Sequence, residues 1–217
     1  MSYVMSGESQ KPGAVVYVVD DDESQRKALS SLFRSENLRV ELFGSCDEFL
    51  RFDRPDVPSC LILDVRLQGY SGLVFQEQFA LRQNPVPIVF ITAHGDVWMC
   101  AKAMKAGAVD FLTKPLRDQD VLDAIALGIE RDSIRRQSVA ANSGLQARYD
   151  ALTPREREVM SHVLAGAMNK QIAAALKLSE VTVKMHRGQV MHKMGSRSVA
   201  DLVQKAGQLG LTYLQAS

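Results

Sequence analysis

The stretch Val15-Val16-Tyr17-Val18-Val19-Asp20-Asp21 decides the fold, because a short apolar run leads directly into paired carboxylates. The apolar part is too short for a buried helix, and its β-branched and aromatic residues favour a buried strand. Runs of the same kind occupy residues 60–63, 88–91 and 108–112. We interpret all of these runs as central strands of a parallel sheet.

Polar residues stand at or just beyond the carboxyl ends of these runs. They are Asp20, Asp21, Asp64, Thr92 and Lys114. In an open parallel sheet, ligands bind outside the carboxyl ends of the strands, so residues distant in sequence converge there on one charged group. We therefore expect these side chains to form a single active site.

Helical patterns alternate with the strand patterns along the first part of the chain. The helical patterns cover 24–35, 46–52, 72–82, 96–106 and 118 to about 136, and a further strand pattern covers 38–43. Each parallel strand needs a crossover connection, so this alternation predicts an α/β fold with a five-stranded, doubly wound parallel sheet. Residues 132–150 mix charged, Gln, Ser and Ala residues without a clean apolar stripe, which we interpret as the end of a helix running into a linker.

Charge divides the chain although the net charge is only +1. Residues 1–128 carry 13 Lys and Arg against 18 Asp and Glu, a net charge of −5, whereas residues 129–217 carry 13 against 7, a net charge of +6. A basic half attached to an acidic half is typical of a nucleic-acid-binding module joined to a domain with another task, although a solvated basic face is the simpler alternative. We expect domains at 1–128 and 151–217, with the end of a helix and an interdomain linker at 129–150.

The second half has a helical pattern throughout. Thr153-Pro154-Arg155-Glu156 has capping-box spacing with proline at the first helical position, so a helix is expected to begin there. Asn169 is expected to cap a second helix and Ser179 a third. The tight connection 176–179 predicts a helix-turn-helix in a small all-α domain, with the later helix entering a DNA major groove.

No targeting signal is visible in the sequence. Residues 1–14 lack the long apolar core of a signal peptide, and no segment reaches the length of a membrane span. We therefore expect a cytoplasmic protein without membrane contact. The chain has three cysteines, Cys46, Cys60 and Cys100, and their spacing is not that of a metal site. We therefore expect reduced thiols, not disulfides.

The order and spacing of these motifs resemble response regulators of two-component signalling, in the NarL/FixJ group with a LuxR-type DNA-binding domain. The motifs of the receiver, which has a flavodoxin-like fold, are 18–22, 63–66, 91–95 and 111–115, and those of the output domain are 152–156, 169–173 and 181–187. The runs 92–97 and 104–108 are most similar to the FixJ branch. The resemblance covers nearly the whole chain.

The resemblance implies a phosphorylation site built from the residues at the strand ends. Asp64 matches the phosphoacceptor, and Lys114 and Thr92 match the partners of the phosphoryl oxygens. The ligands of Mg²⁺ would be Asp20, Asp21, Asp64 and the backbone carbonyl of Arg66. Independently, phosphoryl transfer to a carboxylate needs a nucleophile, a divalent cation with oxygen ligands and donors for the transferred oxygens, and these residues supply all three.

The resemblance also implies a switch and a DNA-binding face. Thr92 and Phe111 match the pair that changes position on phosphorylation and lets the receiver dimerise. On the third helix of the output domain, positions 184, 185 and 188 match base-reading positions in relatives, and the other matches are phosphate-contacting positions. The DNA-binding residues are thus Asn169, Lys170, Thr182, Lys184, Met185, Arg187, Gly188 and Lys193.

The resulting hypothesis is a regulator, not an enzyme, although a receiver promotes its own phosphorylation and dephosphorylation. Its partners would be a sensor histidine kinase, promoter DNA, RNA polymerase and, when phosphorylated, a second copy of the chain, with transcriptional activation as the expected output. The alternatives are a phosphorylation-independent DNA-binding regulator with a vestigial receiver, a LuxR-type sensor of diffusible lipid signals, and a phosphohydrolase. A phosphohydrolase would need an acid at the position of Arg66. The chain departs from many receivers at one position after the phosphoacceptor, where Gln68 stands in place of a proline.

Overall fold

The computed structural model describes residues 13–67, 70–82 and 85–211. The strands are β1 Val15–Val19, β2 Arg39–Phe43, β3 Ser59–Asp64, β4 Arg66–Leu67, β5 Tyr70–Ser71, β6 Ile88–Thr92 and β7 Asp110–Thr113. The helices are α1 Glu23–Ser35, α2 Cys46–Arg51, α3 Gly72–Ala80, α4 Val97–Lys105, α5 Asp118–Asp150, α6 Pro154–Leu164, α7 Asn169–Leu176, α8 Glu180–Lys193 and α9 Val199–Gln208. The chain divides into two compact units between Arg136 and Gln137.

The first unit is built on a five-stranded parallel sheet in the order β2-β1-β3-β6-β7. The order steps from β1 to one side and then to the other, as a doubly wound sheet requires, so the sequence-based prediction of the fold is confirmed. The short strands β4 and β5 pair antiparallel outside this sheet.

Alternation along the strands distributes the core between the two faces of the sheet. Val15, Tyr17 and Val19 pack with apolar residues of α2 and α3, whereas Val16 and Val18 pack with residues of α1 and α5. Successive side chains of a strand point to opposite faces of the sheet. Because helices cover both faces, both sets of side chains are buried and the strand is apolar along its length.

Helix α5 is longer than the sequence pattern predicted. We expected the helix to end near Arg136 and to run into a linker, but one helix continues from Asp118 to Asp150. Residues 137–144 are all exposed, whereas Leu145 is buried in the core of the second unit and Tyr149 packs against it. The missing apolar stripe reflects a solvent-exposed helix segment, not the absence of a helix. The proposed domain limits at 128 and 151 stay predictions.

The second unit contains the last part of α5 and the helices α6 to α9. Val159, Ile172, Val183, Val190 and Leu202 bring these four helices together in one apolar core. Thr153 and Glu156 form the predicted capping box at the start of α6, and Ser179 caps α8. Within the described residues, no helix combines the length and the apolarity needed to cross a bilayer.

Two glycines of α5 have opposite surroundings. A Cβ placed on Gly128 would lie 2.3 Å from the Cys60 sulfur, whereas a Cβ placed on Gly144 would meet nothing within 4 Å. Gly128 therefore lets α5 pack closely on β3, and Gly144 makes no such contact.

We predict opposite effects of alanine at these two positions. Gly144→Ala should raise the free energy of unfolding of the second unit by about 1 kcal/mol, because alanine favours a helix more than glycine does. Gly128→Ala should lower that of the first unit by about 1–3 kcal/mol, because the core there becomes overpacked. Calorimetric unfolding of the full chain measures both changes. Equal stabilisation by the two substitutions would contradict the close contact between Gly128 and Cys60.

Candidate functional site

The strand ends of the first unit bring the predicted site residues together. Asp64 and Thr92 are the last residues of β3 and β6, and Asp20 and Lys114 directly follow β1 and β7. These four strands are neighbours in the sheet and parallel, so their carboxyl ends meet at one edge. The ligand atoms of the carboxylates Asp20, Asp21 and Asp64 all lie within 4.8 Å of one another.

Lys114 holds two of these carboxylates. Its Nζ donates to Asp64 Oδ2 at 2.6 Å and to Asp20 Oδ2 at 2.9 Å. The other oxygens accept backbone hydrogen bonds, Asp64 Oδ1 from the Arg66 N–H and Asp20 Oδ1 from the Asp22 N–H, both at 2.8 Å. One ammonium group and the two loop backbones therefore fix the carboxylates in place.

Burial opposes the charges of this cluster. Asp20 is fully buried, and its desolvation raises the pKa of the carboxyl above its usual value although the hydrogen bond from Lys114 acts in the other direction. For Lys114, burial acts to lower the pKa, but the hydrogen bonds to Asp64 and Asp20 outweigh it and the pKa is raised. The lysine is therefore held as a cation between two carboxylates.

The donor set fits a hard divalent cation. Three carboxylates converge on one point, while Lys114 supplies a single positive charge against them. Carboxylate oxygens are the ligands that Mg²⁺ and Ca²⁺ prefer, and like charges at this distance resist joint ionisation without a counter-charge. The structure thus gives an acidic pocket compatible with a divalent metal.

Thr92 and Phe111, the predicted switch pair, lie close to the site. Thr92 is fully buried, and its hydroxyl oxygen accepts a hydrogen bond from the His94 N–H at 3.3 Å. The Phe111 ring is half-buried, with its centroid 6.3 Å from that of Phe90. A Cβ on Gly95 would lie 2.8 Å from Phe111 Cε1 and 3.1 Å from Thr92 Cγ2. Any side chain at position 95 would therefore crowd both residues of the pair.

Two roles at the site escaped the sequence reasoning. Arg26 Nη1 donates to the backbone oxygen of Asp20 at 2.5 Å, and nothing in the spacing of α1 singles out that arginine. Gly95 stood in a recognised motif, but its contact with Phe111 depends on the packing of a distant strand. Asp22 caps α1 by accepting hydrogen bonds from the Ser24 and Gln25 N–H groups. Gln68 lies outside the described residues.

The second unit contains the predicted helix-turn-helix. Lys177 ends α7 in the left-handed conformation, with φ of 54°, and Ser179 caps α8 by accepting from the Thr182 N–H at 3.1 Å. The expected cap of α7 was wrong: the N-cap residue is Met168, and Asn169 instead accepts a hydrogen bond from Arg187 at 3.0 Å. The Asn169 side chain therefore connects α7 to α8 instead of capping α7.

The predicted DNA-binding residues fall into two groups. Lys170, Lys184, Met185 and Gly188 are exposed. The remaining four have side-chain contacts inside the unit: Asn169 with Arg187, Thr182 with Ser179, and Lys193 with Glu156.

Lys193 joins the end of α8 to the start of α6. Its Nζ donates to Glu156 Oε2 at 2.7 Å and to the Ala151 carbonyl at 3.3 Å, and Glu156 is only 5% exposed. Burial acts to raise the pKa of Glu156, but the hydrogen bonds from Lys193 and the Thr153 backbone outweigh it, so that the pKa lies below its usual value. This pair fixes the end of α8 relative to the capping box at the start of α6.

Comparison with known proteins identifies both units. The model of the response regulator receiver domain matches residues 16–126, and that of the bacterial regulatory proteins of the luxR family matches residues 150–206. Nodulation protein W of Bradyrhizobium diazoefficiens is 51% identical over 199 residues, which cover 92% of this chain and 88% of that protein. The transcriptional regulatory protein FixJ of the same species is 37% identical over 196 residues, covering 90% and 96%.

A solved structure matches as well. That of the response regulator StyR is 45% identical, covers 90% of this chain and 99% of its own, and superposes with a TM-score of 0.81. The chain therefore belongs to the response regulators that join a receiver domain to a LuxR-type DNA-binding domain, the NarL/FixJ family. Residues 16–126 form a receiver, not a ligand domain for diffusible lipid signals.

We predict that Gly95 is required because of the Phe111 ring. Gly95→Ala should lower the free energy of unfolding of the first unit by about 1–3 kcal/mol, since the ring must move. In a Phe111→Ala background the same substitution should cost clearly less. Urea unfolding followed by the fluorescence of Trp98, the only tryptophan of the chain, measures the receiver alone. Equal costs in the two backgrounds would contradict the contact.

We predict a pH-dependent contribution from Glu156. Because its pKa in the folded chain is lowered from 4.5, its stabilisation is present above pH 4.5 and is lost as pH falls through the folded value. Glu156→Gln should therefore lower the free energy of unfolding of the second unit by about 1 kcal/mol at pH 7, with the difference closing in acid.

Far-ultraviolet circular dichroism during urea unfolding at several pH values measures this effect. Glu158→Gln is the matched control, because Glu158 lies on the same helix in a half-exposed pair with Arg155 and should change stability little. A deficit of Glu156→Gln that persists unchanged below pH 4.5 would refute the ion-pair explanation.

Proposed function

We propose that Asp64 accepts a phosphoryl group from a sensor histidine kinase and that this controls binding of the second unit to promoter DNA. The observation that carries the proposal is the double ion pair of Lys114 with Asp64 and Asp20, next to a third carboxylate at the edge of the sheet. A cation that already contacts the nucleophile is placed to follow the charge as it moves to a phosphoryl oxygen.

The reaction needs little more than positioning. A carboxylate oxygen of Asp64 attacks the phosphorus of the kinase phosphohistidine, the P–O bond forms as the P–N bond breaks, and the released imidazole nitrogen keeps the electron pair and takes a proton. The Arg66 N–H and Lys114 hold the Asp64 oxygens before attack. The Thr92 hydroxyl and the Lys114 ammonium then bind oxygens of the transferred group.

Asp20, Asp21, Asp64 and the backbone carbonyl of Arg66 would hold Mg²⁺. When bound, the ion neutralises the negative charge that the phosphoryl group adds to the three carboxylates. Burial of Asp20 disfavours its charged carboxylate and raises its pKa, and a bound cation would oppose that cost.

Thr92 and Phe111 would convert phosphorylation into a change of surface. Movement of the Thr92 side chain toward the phosphoryl group would change the packing near the Phe111 ring, since a Gly95 Cβ would lie 3.1 Å from Thr92 Cγ2 and 2.8 Å from Phe111 Cε1. A phosphoryl group shifts such an equilibrium only through contacts that differ between the two states, and the Thr92 hydrogen bond is one. The altered face of α4 and β7 would then bind a second copy of the chain.

The second unit would carry the output. Lys170, Lys184, Met185 and Gly188 are exposed and available to DNA, and Asn169, Thr182, Arg187 and Lys193 would reach phosphates only by leaving or sharing their present partners. A dimer would present two recognition helices to a two-fold symmetric promoter site in the cytoplasm and contact RNA polymerase to activate transcription.

A phosphohydrolase is disfavoured by the position two residues after Asp64. A leaving group would need a proton donor there, and the exposed guanidinium of Arg66 cannot act as a general acid. The chain therefore acts as a regulator. A phosphorylation-independent regulator with a vestigial receiver is the second candidate. It leaves the cluster of carboxylates around Lys114 without a functional role.

We predict that acetyl phosphate with Mg²⁺ adds one phosphoryl group to the full chain and shifts it toward a dimer. Asp64→Asn should gain no phosphoryl group, because the nucleophilic oxygen is lost. Intact-mass spectrometry and sedimentation velocity on the same samples measure the two effects. Omission of Mg²⁺ by a chelator should slow the mass gain strongly.

Asp123→Asn is the matched control, since Asp123 is an exposed acid on α5 that hydrogen-bonds Gln119. This variant should gain the phosphoryl group and shift toward a dimer to the same extent as the chain without a substitution. No mass gain from acetyl phosphate or from a phosphorylated histidine kinase would refute the phosphoacceptor and favour the phosphorylation-independent regulator. A mass gain without dimerisation would keep the chemistry and refute the proposed output.

A further inference from the structure

The recognition helix α8 has one face in the core and one face in solvent. Val183, Val190 and Met194, which follow each other at helical spacing, are buried against the other helices of the second unit. Residues half a turn away must therefore face outward. Those residues are Val181, Met185, Gly188 and His192, spaced by four, three and four positions, and all four are exposed.

This outward face is apolar in its first half. Val181 is 80% exposed and Met185 is 57% exposed, although both side chains are large and hydrophobic. They lie one turn apart, so their side chains are neighbours on the helix surface. Gly188, the next residue of this face, adds no side chain to it, and a Cβ there would meet nothing within 4 Å.

Positive charge borders the same face. Lys184 lies beside Met185 on α8 and is exposed, and Lys170 is exposed at the start of α7, next to Asn169, which accepts a hydrogen bond from Arg187 of α8. Cations beside an apolar strip favour binding to a polyanion that also exposes apolar groups between its charges. A hydrophobic protein partner would not require the cations. In the DNA major groove, phosphates border base edges, and thymine alone presents a methyl group there.

We propose that Val181 and Met185 read thymines through their C5-methyl groups, so that the preferred site carries thymine at defined positions of each half-site. The inference rests on the proposed DNA-binding function and adds the chemistry of sequence recognition. Both residues lie in the first two turns of α8, the part of a recognition helix that reaches base edges.

Gly188 limits the other ways of reading. Without a side chain it offers no hydrogen bond to a base, and its open surroundings let the backbone of α8 approach the groove. Lys184 remains as a hydrogen-bond donor to guanine next to the apolar strip. Discrimination along the outward face therefore depends on apolar contact more than on bidentate hydrogen bonds.

The experiment compares thymine with uracil in the preferred site. The full chain, treated with acetyl phosphate and Mg²⁺, is first used to select its site from randomised duplexes. Each thymine is then replaced singly by uracil, which removes the methyl group and keeps the base pairing. At one or two positions per half-site we expect affinity to fall about fourfold per methyl group. Fluorescence anisotropy at fixed salt measures the change.

Variants connect each methyl group to a side chain. Met185→Ala and Val181→Ala should weaken binding to the thymine site and abolish the uracil effect at the position that each one contacts. Val74→Ala is the control, because Val74 is an exposed valine on α3 of the first unit, 40% exposed, and should leave the uracil effect unchanged. Circular dichroism melting shows that the exposed substitutions leave the second unit folded.

The outcomes separate the inference from the function on which it rests. Selection of a defined site whose affinity is insensitive to uracil at every position, or equally sensitive in Met185→Ala and Val181→Ala, would overturn methyl reading and leave the regulator intact. Failure to select any sequence would overturn sequence-specific binding itself. Selection dominated by guanine contacts that disappear in Lys184→Ala, without a methyl effect, would assign the readout to Lys184 instead.

Discussion

Repulsion among three carboxylates at one sheet edge is the constraint on which the receiver depends. Asp20, Asp21 and Asp64 bring their ligand atoms within 4.8 Å, and among the described residues only Lys114 contacts two of them with a positive charge. Backbone N–H groups after β1 and β3 bind the outer oxygens, and Arg26 holds the Asp20 carbonyl. A site so balanced responds strongly to any added charge.

The second unit is organised by cations that bind inside it. Arg155 donates to the Leu176 carbonyl at the end of α7, and Lys205 donates to the Gly195 carbonyl just after α8. Arg148 contacts the Met194 carbonyl in the same region. Cations at helix carbonyl ends stabilise the helices through the dipole and the unpaired acceptors. Basic residues that the net positive charge of this half suggested for DNA binding therefore stabilise the helix-turn-helix itself.

The sequence was sufficient for the sheet and the receiver cluster because both depend on local rules. Apolar runs that end in Asp20, Asp64 and Thr92 specify strands, and parallel pairing then brings their ends together. The partners of Lys193 and Asn169 were not predictable, since each is set by the packing of another helix. The continuation of α5 past Arg136 was missed because its exposed segment carries no amphipathic signal.

The internal use of cations has a consequence for how the protein searches DNA. Among the described residues after 136, the lysines and arginines whose side chains make no hydrogen bond within the unit are Lys170, Lys177, Lys184 and Arg197. Non-specific affinity grows with the number of phosphates that a protein neutralises. With so few unengaged cations, a single second unit would therefore hold random DNA weakly and leave it readily.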